Sequence, residues 1–441
     1  MKVRVSPCWS VCAAALAVAL WMDFSPLHAF HRADSFIPVF SGLYHWTPFF
    51  WDQNRFGQPI PLLSLPIDSP FANLLFQVGL RLLAVTASFF LLARTVVPRP
   101  YWPAVGALTL ALWIGFQEIE AHAFMQMQPS GQAVALGLAG LLLLESRWRL
   151  AGFGLLLLAF WVSLTALFWL FPLALVRRRL LDLSAVAVSF GASLLFSRLS
   201  AYREATSFSA ADLSDWPLAW RTFAERSVEY LSLPLVLAGF GLLIAALLLR
   251  RRLAISAGIT LLAAGAGELI VMGMTYWAKH NGWSIRYVAV ELLVVGMLAP
   301  ALALILLLDS RERWHQAANA LGLAALLLVT AFRYGQPSVA KARVSLDAFG
   351  TAEIQGSTHL MGNYFRTWPA AFHANVVRWE RGERTPIWVI SLRSGPTRHL
   401  WWRKDWTSAR IAVLPGDEAE AERMRQKYGL PGPDLAVSSR P

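Results

Sequence analysis

Charge is scarce in this chain. Only 15% of its 441 residues are Asp, Glu, Lys or Arg, where an ordinary soluble protein carries about 25%. Apolar residues make up 56%, and the mean hydropathy is +0.48. That balance argues against a soluble globular enzyme and for a chain that crosses a membrane several times. Cysteine is nearly absent. Cys8 and Cys12 lie in or beside the first apolar run, cannot staple a distant domain, and show no metal-ligand spacing. Acids are outnumbered, 27 against 39 Lys and Arg, for a formal charge of +12. The basic residues fall in short clusters between apolar runs, the positive-inside pattern, which points to membrane lipids and away from nucleic acid. No Walker loop, dinucleotide fingerprint, zinc-protease helix or nucleophile elbow occurs in its required context. A cytoplasmic nucleotide-sugar enzyme is therefore unsupported.

What is present is a series of apolar runs. Residues 1–29 have the shape of a signal peptide: Lys2 and Arg4, then VCAAALAVALWM, then a small-residue site at His28-Ala29. An uncleaved signal-anchor fits better, because the downstream topology closes with it in place. Apolar runs and basic clusters together predict about eleven spans, with the N-terminus cytoplasmic and the C-terminus outside. Arg147 and Arg149 should lie on the same side as Arg177, Arg178 and Arg179. One straight helix would separate them, so two short helices with a turn near 161–165 are expected. From about residue 333 the charge returns. Runs at 386–390 and 410–414 read as strands, and EAEAERMRQKYG reads as a helix with a glycine stop. The last residues, PDLAVSSRP, should fray. The expected fold is a multi-pass α-helical membrane protein, residues 1–332, followed by a small extracytoplasmic α/β domain, residues 333–441.

The first outer loop, 23–71, is too polar to span a bilayer and too aromatic to be a free linker, which suits a membrane interface. Attack on an activated sugar needs a base near the acceptor and a cation near the departing phosphate. Asp34 suits the base. It equally suits a headgroup-level acid that only marks a helix end. Asp52 sits in a polar knot with Asn54 and Arg55, where Arg55 can pair with it. Asp68-Ser69-Pro70 reads as the N-cap of span two. Glu118, Glu120 and His122 bring three ligand types into five residues beyond span three. Extended or helical, at least two share a side, a set that suits Mg²⁺ or Mn²⁺ or simply a solvated His–Glu pair. Arg286, in a segment with His280, Trp283 and Tyr287, is placed to hold a phosphate bidentately or to snorkel. Arg81, Glu268 and Glu291 fall inside spans, where ionisable groups pair or line a cavity. Arg81 facing a cavity would be a second phosphate anchor. Trp46, Trp51 and Trp283 would line a sugar or lipid path.

Together these features resemble the C-type (GT-C) glycosyltransferases of membranes: an acid after the first span, an acidic pair after the third, short paired spans, and an outer loop with Arg286-Tyr287. The stretch HWTPFFWDQNRFGQPIPLL is similar to bacterial membrane proteins with a GT-C-like core, and GNYFRTWPAAFHAN followed by a strand looks like their outer domain. The resemblance implies a polyprenyl- or dolichyl-phosphate-linked sugar donor, an extracytoplasmic acceptor, and inverting transfer at the outer leaflet of a plasma (bacterial inner) membrane. Asp34 then maps onto the base and Arg286 onto the phosphate binder. Glu118 and Glu120 map onto the second acidic motif, which helps bind a metal in the oligosaccharyltransferase branch. Asp34 is followed by Ser35, where many members have a paired acid. The rival reading is a transporter or scaffold with the same helix core. The concentration of polar groups at outer span ends and the lack of an inverted repeat favour the enzyme.

Overall fold

A computed structural model describes residues 7–25, 33–49, 57–97, 100–116, 130–199, 213–230, 233–275, 279, 289–308, 314–350, 356–391, 409–428 and 433–436. In chain order the first helices are α1 (Pro7–Asp23), α2 (Ala33–Tyr44), α3 (Pro59–Ser64), α4 (Pro70–Val96) and α5 (Trp102–Phe116). Then come α6 (Ser130–Leu144), α7 (Arg149–Val162), α8 (Leu167–Arg177), α9 (Leu180–Leu199), α10 (Trp216–Tyr230) and α11 (Leu233–Leu248). The remainder are α12 (Arg252–Gly273), α13 (Ala289–Leu308), α14 (His315–Tyr334), α15 (Val339–Asp347), α16 (Tyr364–Glu380) and α17 (Glu418–Tyr428). The chain divides into two compact units. One holds Met1–Met22, Asn54–Gly57 and Arg81–Gln336, and the other holds Asp23–Gln53, Gln58–Leu80 and Pro337–Pro441. The second unit thus joins the C-terminal segment to stretches of the first loop and of span two that the sequence had placed with the core.

By length and composition α4, α9 and α14 are long and apolar enough to cross a membrane, and the bent pair α7–α8 would make a fourth crossing if counted as one span. Shorter apolar stretches include Trp9–Asp23, Trp102–Gly115, Gly131–Leu144, Leu233–Leu248, Arg252–Gly267 and Leu293–Leu308. Along α14, Leu321, Leu328 and Phe332 fall on one side and are 70%, 71% and 93% exposed. An outward apolar stripe of that kind belongs against lipid. The protein is membrane-embedded.

The helix pair α7–α8 bends by 120°, at the turn expected near 161–165. Ser163 is extended there (φ −156°, ψ 118°), and its hydroxyl lies 2.7 Å from that of Thr165. Hydroxyl side chains next to a β-branched valine weaken the helical ladder locally. At the other end of the pair, Arg177 meets Asp182 of α9 at 2.9 Å and also bonds Glu145, which Arg179 approaches to 2.9 Å. Asp182 is fully buried, in ion contact with Arg177 but without a well-aligned hydrogen bond to either oxygen.

In the second unit, β1 (His359–Gly362), β2 (Trp388–Ser391), β3 (Ile411–Val413) and β4 (Pro433–Ala436) form a parallel sheet in the order β2-β1-β3-β4. Strands β2 and β3 and helix α17 fall where the sequence predicts them. Strand β4 corrects an expectation, since PDLA was to fray. It pairs with β3 from Ile411↔Pro433 to Val413↔Ala436, and proline is tolerated because it occupies the first position of an edge strand. The helix α15 is clasped to α16: Arg343 reaches both oxygens of Glu380 at 2.6 and 3.1 Å, and His373 Nε2 lies 3.2 Å from Asp347. Burial pushes the His373 pKa down, against the pull of Asp347.

Removing one member of a buried ion pair strands the other. Asp182→Ala should therefore destabilise the protein by about 3 kcal/mol, read as a lower melting temperature in detergent. Arg221→Ala, which breaks an exposed pair with Glu225, should leave the melt where it is.

Candidate functional site

Helix α2 carries Asp34 at its second position. Phe36, Phe40 and Tyr44 recur every fourth residue and so share one face. In the second unit that face meets the C-terminal rings: Phe36 lies 4.7 Å from Phe372, Phe40 5.1 Å edge-on from Trp368, and Tyr44 5.6 Å from Trp388, centroid to centroid. Phe36 and Phe40 are fully buried. Each such side chain contributes roughly 1.5–3 kcal/mol by burial, and each ring pair about 0.5–1.5 kcal/mol more. Burial pushes the Tyr44 phenol far up, with Arg378 opposing, so Tyr44 packs as a neutral ring.

A buried amide and hydroxyl network holds α2 from α3 and α4. Gln77 Nε2 is within hydrogen-bond reach of Pro38 O (3.2 Å), Ser64 Oγ (2.9 Å) and Asn73 Oδ1 (2.8 Å). Asn73 donates to the carbonyls of Ser64 (3.0 Å) and Ile67 (2.9 Å). Ser64, Asn73 and Gln77 are fully buried. Gly42 admits this approach, since a Cβ there would overlap the Ser64 hydroxyl. Pro38 lies inside α2 and has no N–H, so the carbonyl of Asp34 lacks its helical donor.

Beyond α2 the chain forms a closed neck. Gln58 donates its backbone N–H to Pro48 O (3.2 Å) and its side-chain amide to Phe49 O (2.7 Å). Trp46 donates its indole N–H to Gln58 O at 3.1 Å. Expected to line a sugar or lipid path, Trp46 thus spends its polar edge on closing the neck. Asp68 is exposed, and Ser69 serves the start of α4: its carbonyl accepts from Asn73 N–H (2.8 Å) and its hydroxyl lies 3.5 Å from Ala72 N.

Arg81 lies on α4, 4% exposed, and shares a helix face with Asn73 and Gln77 at four-residue spacing. Asp23, which the sequence reading passed over, is also buried, with Gly79 beside its carboxylate. The side chains of Asp34, Glu268 and Glu291 lie outside the described set. So do Trp51, Asn54, Arg55, Glu118, Glu120, His122, His280, Trp283, Arg286 and Tyr287. Among the described residues no group of three His, Cys, Asp or Glu could hold a metal ion.

In the first unit, Gly57 N–H donates to Trp161 O at 2.9 Å, next to the α7–α8 break. A Cβ on Gly57 would stand 2.5 Å from that carbonyl oxygen. Loop residue and helix tip therefore meet backbone to backbone.

No family model, curated protein or solved structure matches the chain. The site is therefore read from its own chemistry: an acid in the first turn of a helix gripped on two sides. The gripping residues were open to sequence reading in part. Phe36, Phe40 and Tyr44 form one stripe, and Asn73, Gln77 and Arg81 form another on an apolar helix. Only the fold could show that the first stripe meets Trp368 and Phe372.

Gly57→Ala should cost about 1–3 kcal/mol through the overlap with the Trp161 carbonyl. Gly154→Ala, with nothing within 4 Å of the added carbon, should not destabilise. Thermal unfolding of the two variants in detergent checks this.

Proposed function

We propose that this chain is a membrane transferase that moves a sugar from a polyprenyl-phosphate-linked donor to an extracytoplasmic acceptor. Asp34 takes the acceptor hydroxyl proton as its oxygen attacks the anomeric carbon. The bond from that carbon to the carrier phosphate breaks, with inversion, and the lipid phosphate leaves. Arg286, with Arg81 as a second anchor, neutralises the phosphate. Glu118, Glu120 and His122 form the metal site, for Mg²⁺ or Mn²⁺, if the reaction uses one. The observation that carries the reading is the double grip on α2: rings on one face and a satisfied amide network on another. Satisfied buried networks of this kind rigidify the element they hold, and a catalytic acid needs such a rigid support.

The reading places about eleven spans in a plasma (bacterial inner) membrane, with the N-terminus cytoplasmic and residues 333–441 outside. Contacts within the first unit agree with that order. Tyr101 OH donates to Leu308 O (2.8 Å) and Asn319 to Pro100 O (3.1 Å), joining the cytoplasmic ends of α5, α13 and α14. The indole of Trp21 bonds Gly335 O, and Lys279 bonds Asp215, joining ends assigned to the outer face.

Asp34→Asn is nearly isosteric and should insert and fold normally. Loss of a general base should lower transfer on the order of 10²–10⁴-fold, while binding of undecaprenyl phosphate to the purified protein persists. Transfer is measured with sugar-labelled undecaprenyl-phosphate donors in membranes of the source cells. Wild-type transfer by this variant would remove Asp34 from the mechanism.

A further inference from the structure

We propose that the C-terminal α/β part is a positioning module: it mounts α2, and with it the backbone of Asp34. The inference rests on reading Asp34 as the base.

Two observations within the second unit carry it. First, the aromatic face of α16 and β2 is already occupied. Trp368, Phe372 and Trp388 are at most 5% exposed, and their partners are Phe36, Phe40 and Tyr44 of α2. Second, among the described residues the chain places its own carboxylate at the switch point of the sheet. Parallel α/β sheets bind ligands beyond the carboxyl ends of the strands, where the strand order reverses. Here that point falls between β1 and β3. The Asp417 carboxylate, after β3, accepts from Asn363 N–H at 2.7 Å, at the N-cap of α16, and stands 3.6 Å from Arg366. Arg366 also donates to Pro415 O at 3.0 Å. An anion seeking the first turn of α16 meets a resident carboxylate.

The opposite flank of α2 explains why a mount is needed. Gln77, Asn73 and Ser64 are buried polar groups on an otherwise apolar helix packing, and such groups cost free energy unless every one is bonded. Gln77 reaches the carbonyl of Pro38, one turn from the Asp34 carbonyl that the proline leaves without a helical donor. Rings on one flank resist lateral movement, and a directed hydrogen bond on the other resists sliding. Together they fix both the position and the rotation of the turn that carries Asp34. Phe40, Trp368 and Gln77 are positioning residues in this scheme, because they act through α2.

The test compares the full-length wild type with Phe40→Ala, Phe40→Leu, Gln77→Met and Asp34→Asn in lipid nanodiscs. Amide hydrogen exchange reports the grip on residues 36–44. Transfer from sugar-labelled undecaprenyl-phosphate donors, in membranes of the source cells, reports the chemistry. Phe40→Ala should raise exchange in 36–44 on the order of 10²-fold while β1 and β3 keep wild-type protection. Turnover should fall on the order of 10²-fold, with the donor KM unchanged, and Phe40→Leu should restore most of both. If Phe40→Ala does not insert, Gln77→Met, which removes the hydrogen bond to Pro38 O, carries the same comparison. Faster exchange in 36–44 with wild-type turnover would overturn the mount and leave the base reading standing, provided Asp34→Asn is inactive. Wild-type exchange in both loosened variants would also overturn it. An active Asp34→Asn would instead remove the base, and the exchange data would still decide whether α2 is mounted.

Discussion

Helix α2 has 12 residues and a proline in its interior, too short and too interrupted to persist alone in water. What makes it a helix in the folded chain is the contact of Phe36 and Phe40 with Trp368 and Phe372. That contact joins residues more than three hundred positions apart and gathers loop, span and C-terminal segment into one compact unit. The amide network of Gln77 reaches α2 at the carbonyl of Pro38, and the neck closed by Gln58 and Trp46 follows directly after the helix.

A second constraint acts on the apolar unit. Backbone groups in lipid must find partners within the protein, so a break in a helix is tolerated only where other protein groups cover it. The α7–α8 break meets that requirement locally. Ser163 and Thr165 bond each other, Ser163 N–H keeps its helical acceptor at Ala159, and the carbonyl of Trp161 takes the N–H of Gly57. The charges that flank the pair are drawn together by Glu145 and Asp182.

Much of this was legible in the residues. Low charge and clustered arginines indicate a helical membrane protein, and the spacing between Arg149 and Arg177 demands the break found at Ser163. Strands β2 and β3 and helix α17 stand out because their patterns are local. Strands β1 and β4 do not, because HLMG and PDLA are too short to show an alternation and gain their meaning only from parallel neighbours. The grip on α2 was half legible: the Phe36–Phe40–Tyr44 stripe is visible as a helical face, but its partner lies across the whole chain. Asp34 stands out in the sequence by its chemistry and its place after the first apolar run. The fold adds a reason the sequence could not supply, namely that its helix is held on two sides.

In the proposed function, the mounted turn of α2 is where a lipid-phosphate-linked sugar reacts. The most direct measurement is a cryo-electron microscopy reconstruction of the full chain in lipid nanodiscs with undecaprenyl phosphate. The account predicts phosphate density beside the first turn of α2, with Phe40 still seated on Trp368. Phosphate density at a site remote from α2, or α2 detached from α16 with the lipid bound, would contradict it.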